Sequence, residues 1–228
     1  MIAILNVETS TDVCSVAIAI DGKTIALQES FSPNSHTEKL TLLIQSCLKE
    51  ANMTLQELDA VSVSDGPGSY TSLRIGAATV KAMCYALDKP LISVDSLTIL
   101  ASGISPNILN PEDIIISMID ARRNEVYASV FDFQSKKLSD IAPVILDENP
   151  FEHLSGAHII YICGNGAEKY YNQYNNSAIC LQHTFTSARF METITYKLFQ
   201  NNQFESVAYF SPDYIKSPNI TKSTKKLF

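Results

Sequence analysis

The segment Asp65-Gly66-Pro67-Gly68-Ser69-Tyr70-Thr71 carries the residue types best suited to ligand chemistry, because it reads as a strand running through a glycine loop into a helix. Such a loop leaves the first N–H groups of the helix free at the positive end of its dipole, which marks Gly66, Gly68, Ser69 and Thr71 as candidate anion-binding residues. A plain turn capped by Ser69 or Thr71 explains the same residues. The Lys that would reach the phosphates is missing, so this is not a P-loop. Glu8-Thr9-Ser10-Thr11 ends the first apolar run, where a carboxylate and hydroxyls meet a phosphate and its metal or simply hold a polar turn. With Gly164 and Gly166, the glycines able to serve a nucleobase pocket, Glu8, Thr9, Ser10 and Thr11 make up the candidate nucleotide-binding set.

Asp120-Ala121-Arg122-Arg123-Asn124-Glu125 reads as a salt-bridged hairpin, in which Arg122 and Arg123 are the side chains best able to grip a phosphate or a partner carboxylate. The C-terminal stretch carries Lys216, Lys222, Lys225 and Lys226 and no acid, and reads either as a solvated terminus or as a contact for tRNA or an acidic partner. The four histidines form no HxxxH or HExxH pair, and no G-x-S-x-G elbow is present, so no histidine metal site and no serine-hydrolase triad is expected. The second helix carries Gly76, Ala77, Ala78, Val80, Ala82, Met83 and Cys84, small and soft residues on more than one face. Small residues let another helix approach closely, so Gly76, Ala77, Val80, Met83 and Cys84, with Leu40 of the first helix, form a candidate interface.

Positioning these residues requires two mixed α/β halves. Alternation predicts strands over Ile2 to Val7, Val13 to Ile20 and Thr24 to Gln28, with Asp21-Gly22 as a type I′ hairpin turn. The spacing of Leu40, Leu43, Ile44, Cys47, Leu48 and Ala51 predicts a helix over Thr37 to Ala51. A strand at Ala60 to Ser64, a helix over Thr71 to Leu87, a strand at Leu91 to Val94 and a short helix from Ser96 complete a β-β-β-α-β-α-β lobe spanning 1–104. The Pro/Asn/Ser-rich stretch Ser105 to Asn110 divides it from a second lobe, 105–228. That lobe holds strands at Ile114 to Asp120, Glu125 to Phe133, Lys137 to Leu146 and Ile159 to Cys163, and helices over Ala167 to Tyr174 and Ser187 to Asn201.

Bulk composition narrows the function classes. At 228 residues and 46% hydrophobic the chain has room for a substantial core. Its apolar runs are too short to span a bilayer and no charged-then-apolar leader precedes Met1-Ile2-Ala3, so a cytoplasmic, non-membrane protein is expected. Five scattered cysteines without a CxxC favour reduced thiols over disulfides or zinc. A net charge of −7 repels a phosphate backbone, leaving nucleic-acid contact to a partner or a small local patch.

Taken in order, the segments resemble the TsaB (YeaZ) family of subunits related to the transferase TsaD. The likeness runs through Ile4 to Thr11 with Cys14 to Ala17, Ser35-His36, the highly specific Gly66 to Gly76 stretch GPGSYTSLRIG, Pro90 to Leu97, Asp120 to Tyr127, and Pro212 to Lys216. Glu8 stands where that family usually has Asp, Tyr70 and Ser72 replace Phe and Gly, and Tyr214-Ile215-Lys216 replaces a Tyr-Leu-Arg form. The resemblance implies an actin-like ATPase, ribonuclease H-like (ASKHA) fold of two related α/β lobes. It implies a non-catalytic role in transferring threonylcarbamoyl to N6 of adenosine 37 in tRNAs reading codons that start with A. The implied partners are a TsaD-like catalytic paralogue, a TsaE-like ATPase and tRNA through the complex, with a homodimer when alone; no cofactor is assigned to the chain itself, and ATP or ADP is expected at the level of the complex. TsaD-like proteins hold metal with a histidine pair that this sequence lacks. The rivals are a small nucleotide-binding phosphotransferase of the same fold and a glycoprotein peptidase.

Overall fold

The computed structural model describes residues 1–32 and 35–216. Runs of small and branched apolar residues, buried on both faces rather than alternating, build β1 (Ala3–Glu8) and β2 (Cys14–Ile20), and the more exposed β3 (Lys23–Ser30) completes an antiparallel set. Asp21 and Gly22 turn β2 into β3 with φ of 47° and 77°, the two positive values a type I′ turn demands. Helix α1 (His36–Ala51) then crosses to β4 (Ala60–Gly66), and α2 (Tyr70–Leu87) crosses to β5 (Leu91–Asp95), giving the order β3-β2-β1-β4-β5 with β4 and β5 parallel to β1. Asn52 and Asp88 end the two helices in the left-handed conformation, each N–H closing on the last turn.

The second sheet repeats this plan. Strands β6 (Ile114–Asp120), β7 (Glu125–Asp132) and β8 (Ala142–Ile145) pair antiparallel, and β9 (Ile160–Cys163) and β10 (Ile179–Gln182) add in parallel on the other side of β6, giving β8-β7-β6-β9-β10. Each lobe lends its last helical segment to the other. Helix α3 (Ser96–Ser102) follows β5, yet its Leu97, Leu100 and Ala101 pack with Ile115, Ile119 and Phe131 of the second sheet. A 3-10 turn at Ala188–Met191 and α5 (Glu192–Gln200) return to the first sheet, where Ala188 and Met191 join Ala17 and Val94. No described helix is long and apolar enough to cross a membrane.

Several expectations change. Helix α5, expected within the lobe 105–228, packs instead on β1, β3 and β5 of the first sheet. Lys137 to Leu146 is not one strand: Lys137 makes a single bridge to Phe131, the N–H groups of Leu138 and Ser139 both turn to Val130 O, and pairing resumes only at Ala142. The start of Ser187 to Asn201 is a 3-10 turn, Ala188–Met191, with α5 only from Glu192, and β10 carries no sequence signal. Leu40, Gly76, Ala77, Val80 and Cys84 do not form a surface; they are buried in the lobe's own core, and Met83 packs partly against it. Their spacing along the helices is the inward stripe, pulled against the sheet by apolar burial. The outward face of α2 carries Thr71, Arg74, Ala78, Ala82, Tyr85 and Ala86 instead.

Candidate functional site

Glu8 ends β1 with its side chain fully buried. Its Oε1 accepts the Ser10 N–H at 2.5 Å and the Ser10 hydroxyl at 2.6 Å, while Oε2 has no partner among the described residues. Burial pushes this carboxyl above its ordinary range, outweighing the Ser10 bonds that act in the opposite direction. Just beyond, Ser10 O accepts the Ser69 N–H at 2.7 Å, and a Cβ on Gly68 would lie 2.2 Å from the same oxygen. A Cβ on Gly76 would lie 2.3 Å from Thr9 Oγ1. The β1–β2 turn and the start of α2 are thus one packed unit, and Gly68 and Gly76 exist to admit the turn.

That packing changes the reading of the glycine loop. Gly66, with φ of 116°, faces Asp213 O, which a Cβ would approach to 2.8 Å. Ser69 Oγ caps α2, accepting from Ser72 N–H at 3.5 Å, and of the four candidate anion ligands only Ser69 and Thr71 are exposed.

Between the lobes lies a cavity of about 330 Å³ whose lining includes Thr11, Asp12, Gly164, Glu168, His183 and Thr186. Thr11 and Thr186 join hydroxyls across it at 2.7 Å. Of the candidate nucleotide set the structure brings Thr11 and Gly164 together here; Glu8, Thr9 and Ser10 are buried, and Gly166 packs against Ile119 and Val126. Gly164 has φ of 95° and its Cβ would sit 2.2 Å from Met118 O, so the glycine pair serves the close approach of β6. The cavity's charged lining is Asp12 and Glu168, with no Lys or Arg among the described residues. A triphosphate would meet like charge there. Asp12, Glu168 and Thr186 escaped sequence reasoning because only the closed fold brings them to one cleft.

The second-lobe turn is open. Asp120 Oδ1 accepts the Arg122 N–H at 2.6 Å and the Lys169 ammonium at 2.6 Å, and Lys169 also donates to Arg123 O at 2.8 Å. Arg122 and Arg123 take left-handed φ of 68° and 51° and are exposed, their guanidiniums unpaired among the described residues. Lys216 ion-pairs with Glu125 beside them; Lys222, Lys225 and Lys226 lie outside the described residues. For metal, the donor set does not fit a histidine-pair centre: His158 is paired to Asp113 at 2.9 Å, His36 is buried, and no three His, Cys, Asp or Glu side chains among the described residues converge as ligands.

Two sheets of one ribonuclease H-like plan, each clamped by the other's helix, define a two-lobed α/β protein of the actin-like, sugar-kinase type. A family model described as "TsaD: tRNA N6-adenosine threonylcarbamoyltransferase" matches residues 30–225, and the chain belongs to that family, in its TsaB (YeaZ) branch. Among similar proteins, the tRNA threonylcarbamoyladenosine biosynthesis protein TsaB of Haemophilus influenzae is 32% identical over 56% of this chain and 53% of that one. TsaB of Bacillus subtilis is 30% identical over 61% and 59%, so these matches span little more than half of either relative's length. TsaB of Escherichia coli is 25% identical over 94% of both. The fold is shared with YeaZ from Pseudomonas aeruginosa, at a TM-score of 0.78 and 23% identity over 94% of this chain and 100% of that one.

Proposed function

We propose that the chain takes part in tRNA threonylcarbamoyladenosine biosynthesis as a non-catalytic partner subunit of a TsaD-type transferase, which places threonylcarbamoyl on N6 of adenosine 37. The observation that carries this reading is the outward face of α2. Ala78 and Ala82 leave a shallow strip between Arg74 and the 85%-exposed Tyr85, and the 58%-exposed Leu42 stands on neighbouring α1. Small residues flanked by an aromatic and an arginine suit close helix packing against a related lobe, or against a second copy when the transferase is absent. The sealed Glu8 turn and the acidic cleft support a chain that performs no phosphoryl chemistry of its own. A TsaE-type ATPase joins at the level of the complex, and Arg122, Arg123 and the Lys-rich C-terminal residues are the proposed tRNA contacts.

Size-exclusion with a TsaD-type transferase at micromolar concentration tests the assembly. Ala82→Glu should abolish the complex, since a charge buried without a partner costs about 3–5 kcal/mol, while the free chain's melting point stays near wild type. Ala77→Glu serves as a contrast: Ala77 lies in the core, so this variant should unfold the lobe instead. Wild-type complex formation by Ala82→Glu would refute the face. Unchanged modified adenosine in tRNA from cells depleted of the chain would refute the pathway.

A further inference from the structure

An arm of residues 205–214 leaves the end of α5 and straps the edge of the first sheet. Glu205 N–H donates to Leu91 O of β5 at 2.8 Å, and Asp213 N–H donates to Asp65 O at 2.7 Å. Between them Phe210 is pinned into the core, and Lys81 of α2 donates to Phe210 O at 2.7 Å. Tyr214 then stacks on Tyr70 with centroids 4.6 Å apart and accepts from Arg74 at 3.3 Å.

Carboxylates crowd beneath this strap. A cavity of about 300 Å³ is lined by Asp65 from β4 and by Glu205 and Asp213 from the arm, with Asp95 of β5 nearby. The neighbouring cations are already engaged. Lys137 pairs with Asp95 at 2.9 Å, Lys81 binds arm carbonyls, and Arg74 lies 4.0 Å from the centre of the Tyr70 ring. Glu205 accepts from Ser93 at 3.0 Å, but Asp65 Oδ1 is buried with no partner among the described residues.

We propose that the strap is a proton-operated latch, held down while Asp65 is protonated and loosened when Asp65 ionises beneath the arm's Glu205 and Asp213. Burial first, then Asp95 and the arm's own Asp213 and Glu205, push Asp65 up to about 7, and the Ser93 hydroxyl, committed to Glu205, gives Asp65 no bond to offset them. Lifting the arm removes two of those charges and part of the burial, so the value falls when the arm is released. Docking is therefore strongest below the released value and weakens as pH climbs to about 7, beyond which it levels off. The latch does not depend on the proposed partner.

Hydrogen exchange of the 204–215 peptide in the full chain, corrected for intrinsic rates, reads the latch directly. Protection should fall about tenfold, the effect of one pKa unit, on raising the pH to about 7, and then hold steady. Asp65→Asn should keep the acid-form protection at every pH, and Asp213→Asn should shift the fall to lower pH. Wild-type protection that ignores pH, a fall that survives in Asp65→Asn or is unmoved in Asp213→Asn, or a parallel fall in β6 and β7 would overturn the proposal.

Discussion

Glu8 and Asp120 close the central strands of two sheets with one topology, and each carboxylate accepts the N–H two residues on, from Ser10 at 2.5 Å and Arg122 at 2.6 Å. Glu8 is sealed from water, whereas Asp120 is exposed and shared with Lys169. The difference comes from the elements that cross over each sheet. In the first lobe α2 runs 18 residues and its glycine loop folds down onto Ser10. In the second, α4 (Ala167–Tyr174) is 8 residues long, and only a 3-10 turn at Glu152–Leu154 lies between β8 and β9, where the first lobe has α1. Topology places the carboxylate; the bulk of the crossover decides whether it sits in protein or in water.

The glycine that ends β4 and the glycine that follows β9 give the strongest test of that contrast. Gly66 and Gly164 both need positive φ, but a Cβ at Gly164 meets Met118 O at 2.2 Å inside the sheet, and one at Gly66 meets Asp213 O at 2.8 Å on the arm. Sheet backbone cannot yield and an arm can lift. Gly164→Ala should therefore cost about 3–5 kcal/mol and Gly66→Ala about 1–3 kcal/mol, read as lowered midpoints in urea melts. Gly156, with nothing within 4 Å of its Cβ position, serves as control and should move by less than about 0.5 kcal/mol. A Gly164→Ala chain as stable as wild type would show that the second turn is looser than its geometry suggests.

Glu8 comes next in size. Glu8→Ala strands the Ser10 N–H and hydroxyl in a dry site and should cost about 2–3 kcal/mol. Glu8→Gln keeps an acceptor at Oε1 and cannot ionise, so it should be near neutral in acid. Because the folded-state value is raised, wild type is most stable below the unfolded carboxylate range and loses that contribution as pH rises toward the folded value. The stability of Glu8→Gln relative to wild type should then grow with pH. A flat difference across the carboxylate range and above would mean that Glu8 is ionised in its pocket.

Long regular elements were legible from sequence because their signal is local. The apolar runs of β1 and β2, which are buried on both faces rather than alternating as expected, the Asp21-Gly22 turn and the stripe of α1 are each signals within a few residues. Ile179–Gln182 is four residues long and too brief for a periodic signal. The return of α5 to the first sheet depends on contacts between distant segments, which no period records. Ala77 and Ala78 are the same residue one position apart, yet one is buried and the other exposed; small side chains blur the boundary between a helix's two faces. Likewise a glycine selected for close backbone approach looks the same whether the visitor is a phosphate or a neighbouring strand. Gly68 and Gly164 meet strands and turns.

Asp120 should show the smallest effect, and its smallness is the point. Its pair with Lys169 is short, at 2.6 Å, but the two side chains are 38% and 27% exposed. Water therefore competes for both groups, and such pairs contribute roughly 0.2–1 kcal/mol. Asp120→Asn retains an oxygen for the Arg122 N–H and removes only the charge. The expected loss is about 0.5 kcal/mol at low salt, shrinking toward zero near about 1 M salt, where the screening length falls to about 3 Å. Urea melts at the two salt concentrations measure it. A salt-independent loss as large as that of Glu8→Ala would mean that the second turn is sealed like the first, and crossover length could no longer explain the difference between them.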